Sequence, residues 1–435
     1  MTATSTHGAS RGIAISTLGN LLAPIAGLAS APILAQALGV VGRGEVAAGT
    51  APLVLAMSAL TLGLPEAITY YVARGVGAPG AILRRGILYL SIVGVFGSLI
   101  IVLIASLLTQ GAPGTVRTLI SVAACFLVPT LIMGAIRGAA AGLQAWGVIA
   151  AERLVGAVGK LAAIIVLLLM GSLTPLTATI CIAVGNFAGI VVYVVLIGKK
   201  NRVRMRSGAG LRSTELLGFG ARMWFGSLAG VLLSRLDQTL MIPLSNTYQL
   251  GLYAVAVSIS EVALVFNSAV RDVMFDKESA SRQDSRLGLA SRLSTMLTFA
   301  LATAIAVASV KGIPILFGSD FAGAVLPTIL LLIAVFAGNP GSVAGAGLSA
   351  RGRPGLRSLS LVIAVVFNVA AFICLVPTLG AVGAALATLV GNLVAGYLNI
   401  VWLRVFFAIP VRDFLCVRRS DFSEIRRITA RIIRR

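Results

Sequence analysis

The hexapeptide Gly142-Leu143-Gln144-Ala145-Trp146-Gly147 returns 205 residues later as Gly347-Leu348-Ser349-Ala350-Arg351-Gly352. Val184-Gly185-Asn186 returns as Val390-Gly391-Asn392, at an offset of 206. The stretch Leu38-Gly39…Gly44 has a counterpart in Leu250-Gly251, with Gly44 and Gly251 separated by 207. One such match in a chain rich in alanine and glycine would be chance. Three in the same order at nearly one offset describe two halves built on one plan.

What lies between these landmarks sets the class. Of the 435 residues, 58% are apolar and only 11% charged, and the mean hydropathy is +1.00. Soluble domains carry about 25% charged residues, and disorder needs low hydrophobicity. Both are excluded, and the chain reads as a polytopic membrane protein. Apolar runs long enough to cross a bilayer fall near 13–37, 46–64, 87–108, 118–136, 154–170, 176–197, 216–242, 252–271, 293–310, 324–341, 359–376 and 384–407. The first, with Arg11 before it and Ala35-Gln36-Ala37 at its end, has the look of a signal peptide. It is too long for a signal core and belongs to the repeat, so it is read as a span.

Twelve spans put both termini on one side. If that side is the cytoplasm, all but four of the 35 lysines and arginines fall on it, counting with it Lys160, Arg222, Arg271 and Arg404 in the inner parts of their spans. Arg43, Arg117 and Lys311 lie on the outer side, and Arg235 lies inside a span. Basic residues mark the cytoplasmic ends of short loops. The net charge of +21 is thereby explained without nucleic acid. The expected fold is an all-α polytopic membrane protein of twelve transmembrane helices, in two pseudo-symmetric six-helix lobes around a central cavity. The N-lobe is 1–207, six helices plus a basic connector. The C-lobe is 208–410, and 411–435 is a basic cytoplasmic tail. The protein is placed in the cell membrane with both termini cytoplasmic.

The chain offers little for catalysis. Its one histidine, His7, is in the polar N-terminal tail. Cys125, Cys181, Cys374 and Cys416 have no metal-ligand spacing and read as small buried thiols. No inter-span loop is long enough for a catalytic domain. An enzyme, a cofactor and a metal site are not expected.

Charges inside spans are costly and mark function or a structural pair. Arg235 and Asp237 in span seven and Glu261 in span eight stand out, with Gln238 on the face of Arg235. Two readings are open. Arg235 and Glu261, or Asp237 and backbone, lock two spans together; or these residues wall a cavity. In the second, the guanidinium fork suits a phosphate, and Glu261 or Asp237 couples transport to H⁺ or Na⁺. The equivalent first-half positions are Ala29, Ala31 and Val54, so the ionised groups are expected in one lobe only. Span one carries Pro24 and Pro32 flanked by Asn20 and Gln36; proline removes a helix hydrogen bond, which makes this span a bending gate or a static kink. Glu66 and Arg74 form an interfacial pair or a cytoplasmic gate. The connector from Lys199 to Arg206 is a topogenic linker or an anionic-lipid contact. The tail, with Asp421 and Glu424 as caps, is a lipid-surface helix on anionic lipid or a flexible basic segment.

Further stretches carry a family likeness. These are Gly63-Leu64-Pro65…Arg74, Arg235-Leu236-Asp237-Gln238, Leu250-Gly251-Leu252-Tyr253-Ala254, Leu316-Phe317-Gly318-Ser319-Asp320-Phe321 and Val376-Pro377-Thr378-Leu379-Gly380-Ala381-Val382-Gly383. With the repeat landmarks they span about residues 13–407. The chain resembles the O-antigen-type flippases of polysaccharide biosynthesis, within the superfamily of multidrug, oligosaccharidyl-lipid and polysaccharide exporters. The resemblance implies a V-shaped pair of six-helix lobes, alternating access and a polyprenyl-pyrophosphate-linked glycan as substrate. Arg235 is the position that fits a pyrophosphate contact. It also implies a polysaccharide polymerase or glycosyltransferases as partners. Twelve spans differ from the lipid II flippase branch, which has two more. The alternative is a cation- or proton-coupled multidrug-type antiporter, which needs an aromatic-rich pocket; only 6% of residues are aromatic.

Overall fold

In this computed structural model, the described backbone covers residues 4–109, 114–200, 213–281, 284–415 and 421; the described side chains are those of 26–109, 114–195, 213–264, 287–415 and 421. The described secondary structure is helical throughout. The helices are α1 (Thr4–Ala59), α2 (Leu64–Ala73), α3 (Pro79–Leu108), α4 (Gly114–Ala124), α5 (Leu127–Gly142), α6 (Trp146–Leu169), α7 (Pro175–Gly185), α8 (Ile190–Lys200), α9 (Ser213–Leu244), α10 (Thr247–Ser281), α11 (Asp284–Phe317), α12 (Val325–Ala350), α13 (Pro354–Phe407) and the short α14 (Arg412–Leu415). A 3₁₀ turn, Ser319–Ala324, precedes α12.

Among the described residues, nine helical stretches are long and apolar enough to cross a bilayer. Their outward faces bear this out. On α3, Leu88, Ile92, Phe96, Leu99, Leu103 and Leu107 are exposed at three- and four-residue spacing, while Ile82, Gly86, Leu90, Gly94, Gly97 and Ala105 are buried. The buried face is mostly glycine and alanine while the exposed one is large and apolar, the reverse of a helix in water. The chain is thus a multi-pass protein of the cell membrane.

The α13 helix of 54 residues contains a break at Gly380, with φ 54° and ψ −126°. A straight helix of that length would reach about 80 Å, well beyond a bilayer core of about 30 Å. Instead the two arms fold back on each other. Asn368 Nδ2 donates to the Ala387 carbonyl at 2.9 Å, and Trp402 Nε1 donates to Ser360 Oγ at 3.0 Å. Glycine is needed at the bend because a side chain disfavours positive φ. The α1 helix breaks likewise at Gly39, and Leu34 and Val46 from its two sides join one cluster with Ile164 and Ala178. The backbone stays helical at Pro24 and Pro32. The non-helical residue within α1 is Gly39, because a glycine reaches positive φ without a Cβ clash, whereas proline's fixed φ is compatible with a helix.

Contacts divide the chain into two compact units: Met1–Ala254 with Leu316–Phe321, and Val255–Ile315 with Ala322–Arg435. In the first, α2 packs on α5 and α9, and α1 on α6, α4 and α9. The repeat-related Gly44 and Gly251 meet here. A Cβ on Gly44 would fall 1.7 Å from the Thr247 carbonyl oxygen, and one on Gly251 2.1 Å from that of Val40.

In the second unit α12 packs along α13. Asn399 Nδ2 donates to the Gly341 carbonyl at 3.1 Å, and Asn339 Nδ2 to Ser294 Oγ and Thr295 Oγ1, both at 2.9 Å. Arg292 of α11 grips Asp421 through Nε at 2.7 Å and Nη2 at 3.1 Å, and its Nη1 donates to the Asp413 carbonyl at 2.7 Å. Asp421, read from the sequence as a helix cap, is fully buried on this arginine. Phe414 adds a buried ring to Leu287, Leu348 and Leu403. Glu424 and the rest of the tail lie outside the described residues, as does the connector from 201 onward. Cys125, in the turn between α4 and α5, and Cys374, on α13, are exposed and Cys181 is half-buried, so burial of the thiols is corrected for the first two.

Candidate functional site

The first unit contains a cavity of about 640 Å³, lined from α2, α5, α6 and α7. Its wall carries Arg137, Arg153, Lys160, Glu66, Glu152 and Asn186, with Thr61, Thr69, Thr130 and Trp146. That volume lies within the range of small-molecule sites.

The first repeat landmark builds this wall. Gly142 to Ala145 form the tight turn between α5 and α6, with Gln144 at φ 57°. The turn closes through Gln144 N–H to the Ala141 carbonyl and Ala145 N–H to that of Ala140, each at 2.9 Å. Arg137 sits five residues before Gly142, and Glu152 five after Gly147. A turn between them therefore brings the two level. Arg137 Nε donates to Glu152 Oε2 at 3.0 Å and Nη2 to Oε1 at 2.8 Å, a two-pronged charge-assisted bond. About a third of the Arg137 side chain is exposed, while Glu152 is buried.

Close approach fixes the neighbours. A Cβ on Gly138 would lie 2.5 Å from the Pro65 carbonyl oxygen, so α5 lies directly on α2. Thr69 Oγ1 ties that contact by donating to the Gly138 carbonyl at 2.9 Å. At the α7–α8 turn, a Cβ on Gly189 would lie 2.4 Å from the Glu152 carbonyl oxygen, which seats the turn against α6. Asn186, from the second repeat landmark, projects from that turn. Its Nδ2 is buried with no hydrogen-bond partner, although it lines the cavity. Tyr193 of α8 is 5% exposed, its hydroxyl also has no hydrogen-bond partner, and it lies in electrostatic range of Arg137, Glu152 and Arg153.

The expectation that ionised groups sit in one half only is overturned by this cluster. The apolar runs stop at 136 and restart at 154, which leaves Arg137, Glu152 and Arg153 in a presumed loop. The helices run on through all three, and Lys160 lies deeper still. Once the turn is placed at Gly142–Ala145, the sequence spacing of these charges is the signal that finds them.

The sequence-derived site residues are distributed as follows. Glu66 lines the cavity. Arg74 is exposed and stacks over the Tyr70 ring at 4.8 Å. On α9, Arg235 is exposed, Gln238 half-buried and Asp237 buried. Asp237 accepts from the Tyr253 hydroxyl at 2.6 Å and from the Gln238 N–H at 2.8 Å. Glu261 is half-buried on α10, in the second unit. Gln36 Nε2 donates to the Leu316 carbonyl at 2.8 Å, and Pro32 is half-buried. The side chains of Asn20 and Pro24 lie outside the described residues. Among the described residues, no group of histidine, cysteine, aspartate and glutamate could hold a metal ion.

The chain is a multi-pass membrane protein of two compact helical units, one of which holds a polar cavity walled by its own helices. The fold is shared with an inward-facing multidrug resistance MATE family transporter of the MOP superfamily, at TM-score 0.71, 16% identity, and 90% and 98% of the two chains. It is shared as well with the lipid II flippase MurJ in an inward closed conformation, at TM-score 0.72, 13% identity, and 92% and 89% of the chains. The chain itself belongs to the polysaccharide biosynthesis protein family, which it matches over residues 9–275. It is 25% identical over 229 residues to the "Probable low-salt glycan biosynthesis flippase Agl15" of Haloferax volcanii; the match takes in 51% of this chain and 48% of that protein, about half the length of the relative.

Proposed function

We propose that this protein flips a polyprenyl-(pyro)phosphate-linked oligosaccharide across the cell membrane by alternating access, for cell-surface polysaccharide synthesis. The observation that carries this reading is the basic wall of the cavity, where Arg137, Arg153 and Lys160 outnumber Glu66 and Glu152. Guanidinium groups match phosphate geometry with parallel hydrogen bonds. The threonine hydroxyls and the buried, unmatched Asn186 amide suit sugar oxygens. A polar wall of this kind replaces water around a headgroup that hydrocarbon would reject at great cost, while the prenyl chain stays in lipid. A multidrug-type antiporter carrying cations would meet the wrong sign of charge here.

In this reading the nine apolar stretches become twelve passes: α1 and α13 each count as two arms, and α6 is added. The 24-residue α6 reaches about 36 Å, and it fails the apolar criterion because it carries Glu152, Arg153 and Lys160. The passes form lobes 1–207 and 208–410 with the tail 411–435, both termini being cytoplasmic by the distribution of lysine and arginine. Arg235 and Gln238 supply a second, weaker headgroup contact. Asp237 or Glu261 carries the coupling ion, H⁺ or Na⁺. Asn20 and Gln36 with Pro24 and Pro32, and Glu66 with Arg74, belong to the gates. A polysaccharide polymerase or glycosyltransferases are the partners, together with anionic lipid at the tail.

The test is to compare Arg153→Ala with wild type in cells, reading lipid-linked glycan in the inner leaflet and drug resistance separately. Glycan accumulation with unchanged drug resistance is expected. Lost drug resistance with normal glycan export would replace this reading by the antiporter.

A further inference from the structure

Building on the proposed function, we infer that Glu152 is an internal counter-anion that holds the phosphate-binding fork of Arg137 until the substrate's phosphate displaces it, and that the Tyr193 hydroxyl receives the displaced carboxylate. Three observations on different elements carry this. The Glu152 carboxylate engages Arg137 through two parallel hydrogen bonds of 2.8 and 3.0 Å. That is the same edge that a phosphate would use, by the same two-pronged arrangement. The pair is not sealed in the protein: the Arg137 side chain is 35% exposed and both residues line the cavity. A ligand can therefore reach the arginine without unfolding anything.

The third observation is the orphan hydroxyl of Tyr193. Burying an O–H without a partner costs free energy, and this ring packs with Met133 and Ile149, which lie one turn before Arg137 and Glu152 on their helices. In this structure the carboxylate sits on Arg137 and the Tyr193 hydroxyl has no hydrogen-bond partner. With phosphate on the fork, the carboxylate turns to the O–H, and both groups find partners. Buried Glu152 is then never left as a lone charge, a state that would be strongly unfavourable. The pair thus sets the affinity of the site. It keeps an always-charged guanidinium neutralised between cycles and makes each headgroup compete with a tethered anion.

The test uses the full-length protein in nanodiscs with geranyl diphosphate as probe, binding being read by calorimetry and integrity by thermal melting. Glu152→Gln removes the competitor, and binding about tenfold tighter than wild type is expected. Tyr193→Phe removes the receiving O–H, and binding about threefold weaker is expected. In the double variant Arg137→Ala with Glu152→Gln, the tenfold gain is expected to vanish. Unchanged or weaker binding by a folded Glu152→Gln would overturn the inference while leaving the proposed function standing. A gain that persists without Arg137 would do the same, because general charge removal would then explain it. If Glu152→Gln does not fold, Glu152→Asp takes its place. Its shorter reach is expected to tighten binding by a smaller factor, and no gain would overturn the inference. Absence of saturable binding by folded wild type would instead overturn the cavity reading itself, and the inference with it.

Discussion

Among the described residues, two arginines hold a carboxylate by the same pair of parallel hydrogen bonds, one in each unit. Arg292 and Asp421 are closed off, with side-chain exposures of 6% and 0%; Arg137 and Glu152 stand at 35% and 4%. The chemistry is the same and the surroundings differ. A pair from which solvent and ligand are excluded cannot change partners, so it acts as a fastener, tying the segment after α13 to α11. A pair that borders a cavity can exchange one acceptor for another. Access, more than bond geometry, separates an anchoring ion pair from one that a ligand can reach.

The largest effect should come from opening the closed pair. Arg292→Ala leaves Asp421 buried without its cation and frees the Asp413 carbonyl, and removing one partner of such a pair costs about 3–5 kcal/mol. Thermal melting in detergent should fall steeply. The swap Arg292→Asp with Asp421→Arg should recover part of the loss. A wild-type-like melt for the single variant would mean that the two pairs do not differ as described.

Arg153→Ala sharpens the other side. It removes a cation from the cavity while leaving the hydrogen bonds of both pairs in place. Loss of one charge-assisted contact to phosphate is worth about 1.5–3 kcal/mol, which corresponds to roughly a ten- to hundredfold loss in headgroup binding with a near-normal melt. A lowered melt with unaltered binding would reassign the cavity cluster to anchoring. Next, Gly380→Ala strains the α13 bend by about 1–3 kcal/mol. It should lower the melt while sparing geranyl diphosphate affinity, because the bend and the cavity belong to different units. The smallest effect is expected from Arg235→Ala, about threefold or less in glycan export, since Arg235 is an exposed side chain. A larger loss than that of Arg153→Ala would move the headgroup contact from the cavity to α9.

The apolar runs made most of the helices legible, because hydrocarbon demands long uninterrupted stretches. The turn at Gly142–Ala145 and the bends at Gly39 and Gly380 were legible too, each at or beside a glycine-bearing landmark. The charge cluster was hidden by the same hydropathy that revealed the spans. Ending a span at its first charge puts Arg137 and Glu152 in a loop, whereas in the fold each neutralises the other inside helices. Arg235 drew attention because it interrupts an otherwise apolar run. Arg137 and Arg153 of the cavity wall sit nearer helix ends, where a basic residue is ordinary. The buried bond from Tyr253 to Asp237 and the union of Arg292 with Asp421, 129 residues apart, are tertiary facts for which no local pattern gives a sign.

The fold-back of α13 has a topological corollary. Its first and last turns lie side by side, with the Arg353 guanidinium 5.4 Å from the Phe406 ring and that of Arg351 5.5 Å from the Phe407 ring. The polypeptide therefore departs from α13 at the same face by which it arrived. A reporter inserted beside Gly352 and one fused after Ala408 should light up in the same compartment, whichever compartment that is.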